Sequence, residues 1–214
     1  MEIQFGEYQV DSKLGAGGLA DVFAARDKTG RSVALKVLRE PQQGGAHVRR
    51  FLREGRLLQR FSHPGLPECY AVVDGERPFI VLELMKGQSL SERIRGTGAL
   101  SSQEAIGVAT TILGVLGFLH GHGVVHRDVK SGNVFLKEDG TVMLMDLGLA
   151  ADPVDPLTTT LGDVMGTYAY MAPEQIAGAE MDQRADLYSL GVTLFEAIVG
   201  KRPFGAIGAA AMLQ

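Results

Sequence analysis

Asp128, Asn133 and Asp146 are the residues of this 214-residue chain whose types and spacing could do chemistry. They stand in His126-Arg127-Asp128-Val129-Lys130-Ser131-Gly132-Asn133 and, thirteen positions after that Asn, in Asp146-Leu147-Gly148. Their oxygens suit phosphoryl transfer. In such a reaction the protein does little covalent work: Asn and Asp oxygens hold Mg²⁺ on the phosphates, and a carboxylate orients the attacking hydroxyl. Asp128 is the candidate base, and Asn133 and Asp146 are the candidate metal ligands. A His-Arg-Asp triplet alone could be an ordinary surface turn, but its spacing to Asn133 and Asp146 argues against that reading.

Such side chains need elements to carry them, and these are written upstream in order. Gly15-Ala16-Gly17-Gly18-Leu19-Ala20-Asp21-Val22 follows the apolar/polar run from Tyr8 to Leu14. A glycine-rich turn between two strands is expected there, where small residues let backbone N–H groups approach phosphate oxygens. An ordinary hairpin would read the same way, and Ala20 stands where the usual pattern has its third glycine. Val33-Ala34-Leu35-Lys36 then puts a charge at the end of an apolar strand, where it needs a partner or a phosphate to offset desolvation. Glu54 can supply one. It lies among Val48, Phe51, Leu52, Leu58 and Phe61, which follow a mostly helical period. A local pair with Arg50 or Arg53 is the alternative; beside the other motifs, a Lys36–Glu54 pair is the better expectation.

Gly166-Thr167-Tyr168-Ala169-Tyr170-Met171-Ala172-Pro173-Glu174 and Asp186-Leu187-Tyr188-Ser189-Leu190-Gly191 complete the set. From about Tyr8 to Phe204 the chain resembles the eukaryotic-like serine/threonine protein kinases that bacteria also carry. The resemblance implies an α+β, two-lobed fold. Residues 1–85 would form a small antiparallel β-sheet lobe with one helix, and 86–214 a mainly helical lobe without its last helices. It also implies roles. Leu14, Gly15, Ala16, Gly17, Gly18, Leu19, Ala20, Asp21 and Val22 would cover the ATP phosphates, with Ala34 in the same ATP-binding set. Lys36 would contact the α- and β-phosphates and Glu54 would hold Lys36; Leu82 would be the gatekeeper and Glu83 to Met85 the adenine hinge. Asp128 would take or orient the hydroxyl proton, Lys130 would neutralise the moving phosphoryl group, and Asn133 and Asp146 would hold Mg²⁺. Lys130 and Thr167 point to Ser/Thr hydroxyls of protein substrates. Leu147 replaces a commoner Phe and leaves the metal ligand intact. Thr158, Thr159 and Thr160 would be phosphorylated to order their loop, with Asp152, Asp155 and Asp163 as the unmodified alternative source of charge.

The resemblance also marks a departure, because the chain stops in an Ala-rich segment at Gln214, where relatives continue through further helices. Glu174 would then lack the Arg that usually pairs with it, and apolar surface would be left uncovered, favouring self-association. A catalytically weak nucleotide-binding or scaffold module is therefore the second reading beside an active enzyme.

Composition fits a globular enzyme. The chain is 45% hydrophobic with a formal charge of −4, which argues against nucleic acid or an anionic membrane as the main partner. The lone Cys69 excludes an internal disulfide. Met1 to Tyr8 is short, polar and acidic, unlike a signal peptide, so a cytoplasmic location is expected. Ala105 to Leu119 is uncharged but shorter than the ~20 residues of a membrane span, and reads as a buried central helix. Period and punctuation predict strands at 8–15, 19–26, 32–39, 69–74 and 79–84, and helices at 47–61, 102–122 and 184–199.

Overall fold

A computed structural model describes residues 4–39, 45–147 and 168–204, without the side chain of Ala46. The chain divides into two compact units, Met1–Ser62 with Pro67–Lys86, and His63–Leu66 with Gly87–Gln214. Thr158, Thr159, Thr160 and Thr167 lie outside the described residues.

The first unit is a six-stranded antiparallel sheet with one helix. Its strands are β1 (Gln4–Phe5), β2 (Tyr8–Ala16), β3 (Ala20–Arg26), β4 (Ser32–Leu38), β5 (Cys69–Val73) and β6 (Phe79–Glu83), ordered β1-β2-β3-β4-β6-β5. Alternation explains the register. Val33, Leu35 and Val37 of β4 join Phe5, Ala25, Phe79 and Val81 in one buried cluster, while Lys36 points to the other face beside its cross-strand partner Ile80. Helix α1 (Gly45–Arg60) packs on that second face. A Cβ on Gly55 would lie 2.6 Å from Val72 Cγ2 and 3.0 Å from Ile80 Cγ1, so only glycine lets the helix come this close to β5 and β6. A tight turn at 27–30 joins β3 to β4. Asp27 Oδ1 accepts from Thr29 N (2.8 Å) and Arg31 N (3.0 Å), and Gly30 takes φ +84°.

The second unit is mainly helical. It contains β7 (Gly87–Ser89), α2 (Leu90–Thr97), α3 (Ser102–Gly121), a 3₁₀ turn at Ser131–Asn133, β8 (Val134–Lys137), β9 (Val142–Leu144), a second 3₁₀ turn at Tyr168–Tyr170, α4 (Pro173–Ile176) and α5 (Arg184–Val199). Strands β7, β8 and β9 form a small antiparallel sheet. Helices α2 and α3 both begin in capping boxes, Ser89 with Glu92 and Ser101 with Glu104. The stretch 63–66 packs here: Gly65 O accepts from Leu144 N at 2.8 Å, and a Cβ on Gly65 would meet Val115 Cγ2 at 2.4 Å.

Helix α3 differs from the expected buried helix. It runs 20 residues and, by length and composition alone, is apolar enough to cross a membrane. Ala105, Val108, Ile112, Val115, Leu116 and Leu119 are buried, but Ile106 is 65% exposed and Leu113 48%. Helix α5 likewise leaves Leu187, Phe195 and Ile198 exposed, so an uncovered apolar face is present as expected. Glu174 is only partly buried, and the full cost of a buried unpaired carboxylate does not apply to it.

Candidate active site

In the first unit the sheet and α1 bring Lys36 and Glu54 together. Lys36 Nζ lies 2.7 Å from Glu54 Oε1, with both side chains largely sheltered, so the expected Lys36–Glu54 pair forms. The cause is the close approach at Gly55, which sets the preceding residue of the helix, Glu54, against the face of β4 that carries Lys36.

The glycine-rich turn joins β2 and β3. Ala16 pairs with Asp21 and Gly15 with Val22, and Gly17 N donates to Ala20 O at 2.8 Å. Space is left around the backbone. A Cβ at Gly15 would meet nothing within 4 Å, and Leu14 at the strand end is 53% exposed. Asp21 is engaged in the loop itself: it pairs with Lys13 Nζ (3.0 Å) and Arg39 Nη2 (3.0 Å), while Arg39 also donates to Gly17 O. The hydrogen bond from Lys13 foremost holds the Asp21 carboxyl below the ordinary carboxylate range. Ala34 and Leu82 are cross-strand neighbours, both buried, and Glu83 N donates to Glu68 O at 3.0 Å, leaving Met85 past the end of β6.

In the second unit Asp128, Lys130 and Asn133 converge. Asp128 Oδ2 accepts from Lys130 Nζ and Asn133 Nδ2, both at 2.9 Å, and Asn133 Nδ2 also donates to the Asp128 carbonyl at 2.8 Å. Asp128 Oδ1 is buried and has no hydrogen-bond partner among the described residues. Asn133 spends its amide N–H groups on Asp128, so its side-chain oxygen faces other partners. Met145 N donates to Asn133 O at 2.7 Å, which brings the backbone leading into Asp146 beside Asn133. Two oxygen-bearing side chains here fit Mg²⁺, which keeps waters and substrate phosphates in its octahedron and takes only one or two carboxylates from the protein.

The loop carrying these residues is strained and clamped. Arg127 (φ 68°) and Asp146 (φ 67°) are the non-glycine residues with left-handed backbone among those described, each at a cost of order 1–3 kcal/mol. Asp186 of α5, fully buried, holds the loop: its Oδ2 accepts from His126 N (2.8 Å) and its Oδ1 from Arg127 N (2.7 Å). His120, in the last turn of α3, contacts the same carboxylate at 2.7 Å through Nε2. His126 accepts from Asp128 N on Nδ1 (3.3 Å), which puts its proton on Nε2, facing Met145 O at 3.1 Å. Gln175 of α4 donates to Arg127 O at 2.9 Å. A second buried network follows, in which Tyr170 Oη donates to Glu196 Oε2 (2.6 Å) and contacts Ser131 Oγ (3.1 Å). Burial, then the bond to Glu196, pushes the Tyr170 hydroxyl far above its ordinary range, so it stays a neutral donor.

Four of these clamps, His120, Gln175, Asp186 and Glu196, were not predicted as site residues. The Asp186 motif was visible, but a buried carboxylate that accepts backbone N–H groups has no spacing that announces it.

A sequence profile of the protein kinase domain matches residues 8–213. Among curated relatives, a probable serine/threonine-protein kinase PknB of Bifidobacterium longum is 36% identical over 97% of this chain and 32% of its own length. PknA of Mycobacterium tuberculosis is 38% identical, over 95% of this chain and 49% of its own length. PknL of the same organism is 36% identical, over 92% and 50%. The chain thus spans about a third to a half of the length of these relatives.

Proposed function

The chain belongs to the protein kinase family, and on that premise we propose that it transfers the γ-phosphoryl group of ATP to Ser and Thr hydroxyls of proteins. One observation carries the reading. Asp128 has one carboxylate oxygen fixed by Lys130 and Asn133 and the other buried without a partner among the described residues, which is how an acceptor waits for a hydroxyl proton. A substrate hydroxyl bonded to Oδ1 would be aimed at the phosphorus and relieved of its proton as the new O–P bond forms. Lys130 stands beside that oxygen pair and would offset charge spreading onto the phosphoryl oxygens. Lys36, kept extended by Glu54, would hold the α- and β-phosphates under the Leu14–Val22 turn.

Asn133 and Asp146 are the residues that would hold Mg²⁺, whose charge supports the leaving phosphate when bound. The left-handed backbone at Asp146 turns its side chain out of the β9 direction, which supports that role. Ala34 and the Glu83–Met85 stretch would receive the adenine. Thr158–Thr160 would be phosphorylation sites and Thr167 would line the hydroxyl site. A cytoplasmic location goes with the ATP requirement, and the exposed α3 and α5 residues support self-association.

The test is transfer of labelled γ-phosphate to a generic basic protein with Mg²⁺. Asp128→Asn should lower the rate by roughly 10²–10⁴, and chelation of Mg²⁺ should abolish it. A rate within a few-fold of the parent in either arm overturns the assignment. Mass spectrometry after incubation with ATP should find phosphate within Thr158–Thr160.

A further inference from the structure

The turn between β2 and β3 is tied down by side chains to which the phosphoryl-transfer chemistry gives no task. Arg39, the residue after β4, forks between two acceptors: its Nε donates to Asp21 Oδ1 at 3.0 Å and its Nη2 to the Gly17 carbonyl at 2.6 Å. Lys13 Nζ, from β2, reaches the same Asp21 oxygen at 3.0 Å and lies 5.9 Å from the Phe23 ring centroid. The main chain adds to the tie, since Arg39 N donates to Leu19 O and Gly17 N to Ala20 O. The Lys13 and Arg39 side chains are 50% and 41% exposed, too open for their ion pairs to add much to folding stability. Their effect falls on the shape of the turn.

Register decides which side of the sheet carries the tie. Asp21 stands opposite Val37 and Lys13 opposite Phe23, which puts both on the face of the buried cluster that holds Val33, Leu35 and Val37. Val22 stands opposite Lys36 and belongs to the other face. In a planar trans peptide the C=O and the N–H point in opposite directions. We propose that Arg39, braced by Asp21 and Lys13, is a positioning residue for the nucleotide phosphates: by drawing the Gly17 carbonyl toward Asp21, it turns the Gly18 N–H toward the side of Lys36. The inference rests on the phosphoryl-transfer reading and adds to it a residue outside the Leu14–Val22 turn. The guanidinium sits with Asp21, away from the Lys36 face, so it acts through the peptide rather than by touching phosphate. Holding two acceptors at once calls for the planar fork of Arg; a lysine here would keep the charge and lose the shared grip.

The experiment is calorimetric titration of the full chain with ATP and Mg²⁺ and, separately, with adenosine, which has no phosphate. Arg39→Met keeps the apolar stem and removes the donors; it should weaken ATP about tenfold and leave adenosine unchanged, with KM for ATP in phosphoryl transfer rising in step. Arg39→Lys should recover little of the loss. The urea midpoint should stay at the parent value in both variants, as exposed ion pairs predict. ATP affinity within a few-fold of the parent in Arg39→Met overturns the proposal. So does an equal weakening of adenosine, the mark of general damage to the sheet, or full recovery in Arg39→Lys, the mark of long-range attraction between charges. A parent chain that binds ATP yet transfers no phosphate would sink the phosphoryl-transfer reading alone, because the Arg39 comparison is still decided by binding. A parent that binds no ATP overturns both.

Discussion

Lys36 with Glu54 in one unit and the Asp128 loop in the other are held by different kinds of contact. The first is a side chain meeting a side chain across two elements, at 2.7 Å, so its length follows any displacement of α1 against β4. The second is side chains gripping main chain: Asp186 takes two backbone N–H groups, Gln175 donates to a backbone carbonyl, and Asn133 closes on the Asp128 carbonyl. Contacts to the main chain fix a loop whatever its own side chains do. The comparison teaches that the Asp128 loop is preset by its surroundings, whereas the lysine's position is adjustable through a helix.

Breaking the preset side should have the largest effect. Asp186→Ala leaves two backbone donors and the His120 ring without their acceptor. We expect a loss of about 3–5 kcal/mol of unfolding free energy in urea titrations, together with collapse of phosphoryl transfer. A loss under ~1 kcal/mol would mean that the loop is shaped by its own sequence. On the adjustable side, Lys36→Met should lower turnover by roughly 10²–10³ while calorimetry still finds ATP bound within a few-fold of the parent affinity. Complete loss of binding in a folded variant would place Lys36 in affinity instead.

Cys69 gives a finer probe of the first unit. Desolvation on β5, foremost, pushes its thiol up to about 11. The thiolate is then scarce near neutral pH, and alkylation by iodoacetamide at pH 8 should run roughly 100-fold slower than for an unfolded-chain thiol. It should accelerate as pH rises toward 11; a rate matching the denatured protein would show that the strand opens readily. The smallest effect is expected at the surface. Ser89→Ala removes one half of the α2 capping box, a side chain on backbone but without burial, and should cost about 1 kcal/mol. A larger cost would mean that contact with backbone, rather than burial, sets the strength of such clamps.

Much of this was legible in the sequence, and the misses have physical causes. Five strands and three helices were predicted within two residues at each end, because apolar alternation and long helical periods are strong signals. Strands β7, β8 and β9 run three or four residues, too short to show a period, and were missed. Helix α2 could have been found, since Ser89-x-x-Glu92 is a capping box ahead of Leu90 and Ile94, but its eight residues offer only two buried positions. In the site, Lys36–Glu54 and the Asp128, Lys130 and Asn133 cluster were expected, and both form. The residues that clamp the loop were not assigned, because partners 48 to 66 positions away leave no local pattern. The exposed side of α3 was also misjudged, since an uncharged helix reads as buried all round while only one of its faces packs.

The left-handed backbone at Arg127 and Asp146 has a consequence for directed evolution of this chain. Glycine adopts that conformation without strain, so a screen for heat survival alone would be drawn to replacements at these two positions, each relieving of order 1 kcal/mol. Such winners would be sturdier and, on the proposed mechanism, inert, since one of the two residues is a candidate ligand for Mg²⁺ and the other adjoins the candidate base Asp128. Any library built on this chain therefore has to be sorted by turnover as well as by melting temperature.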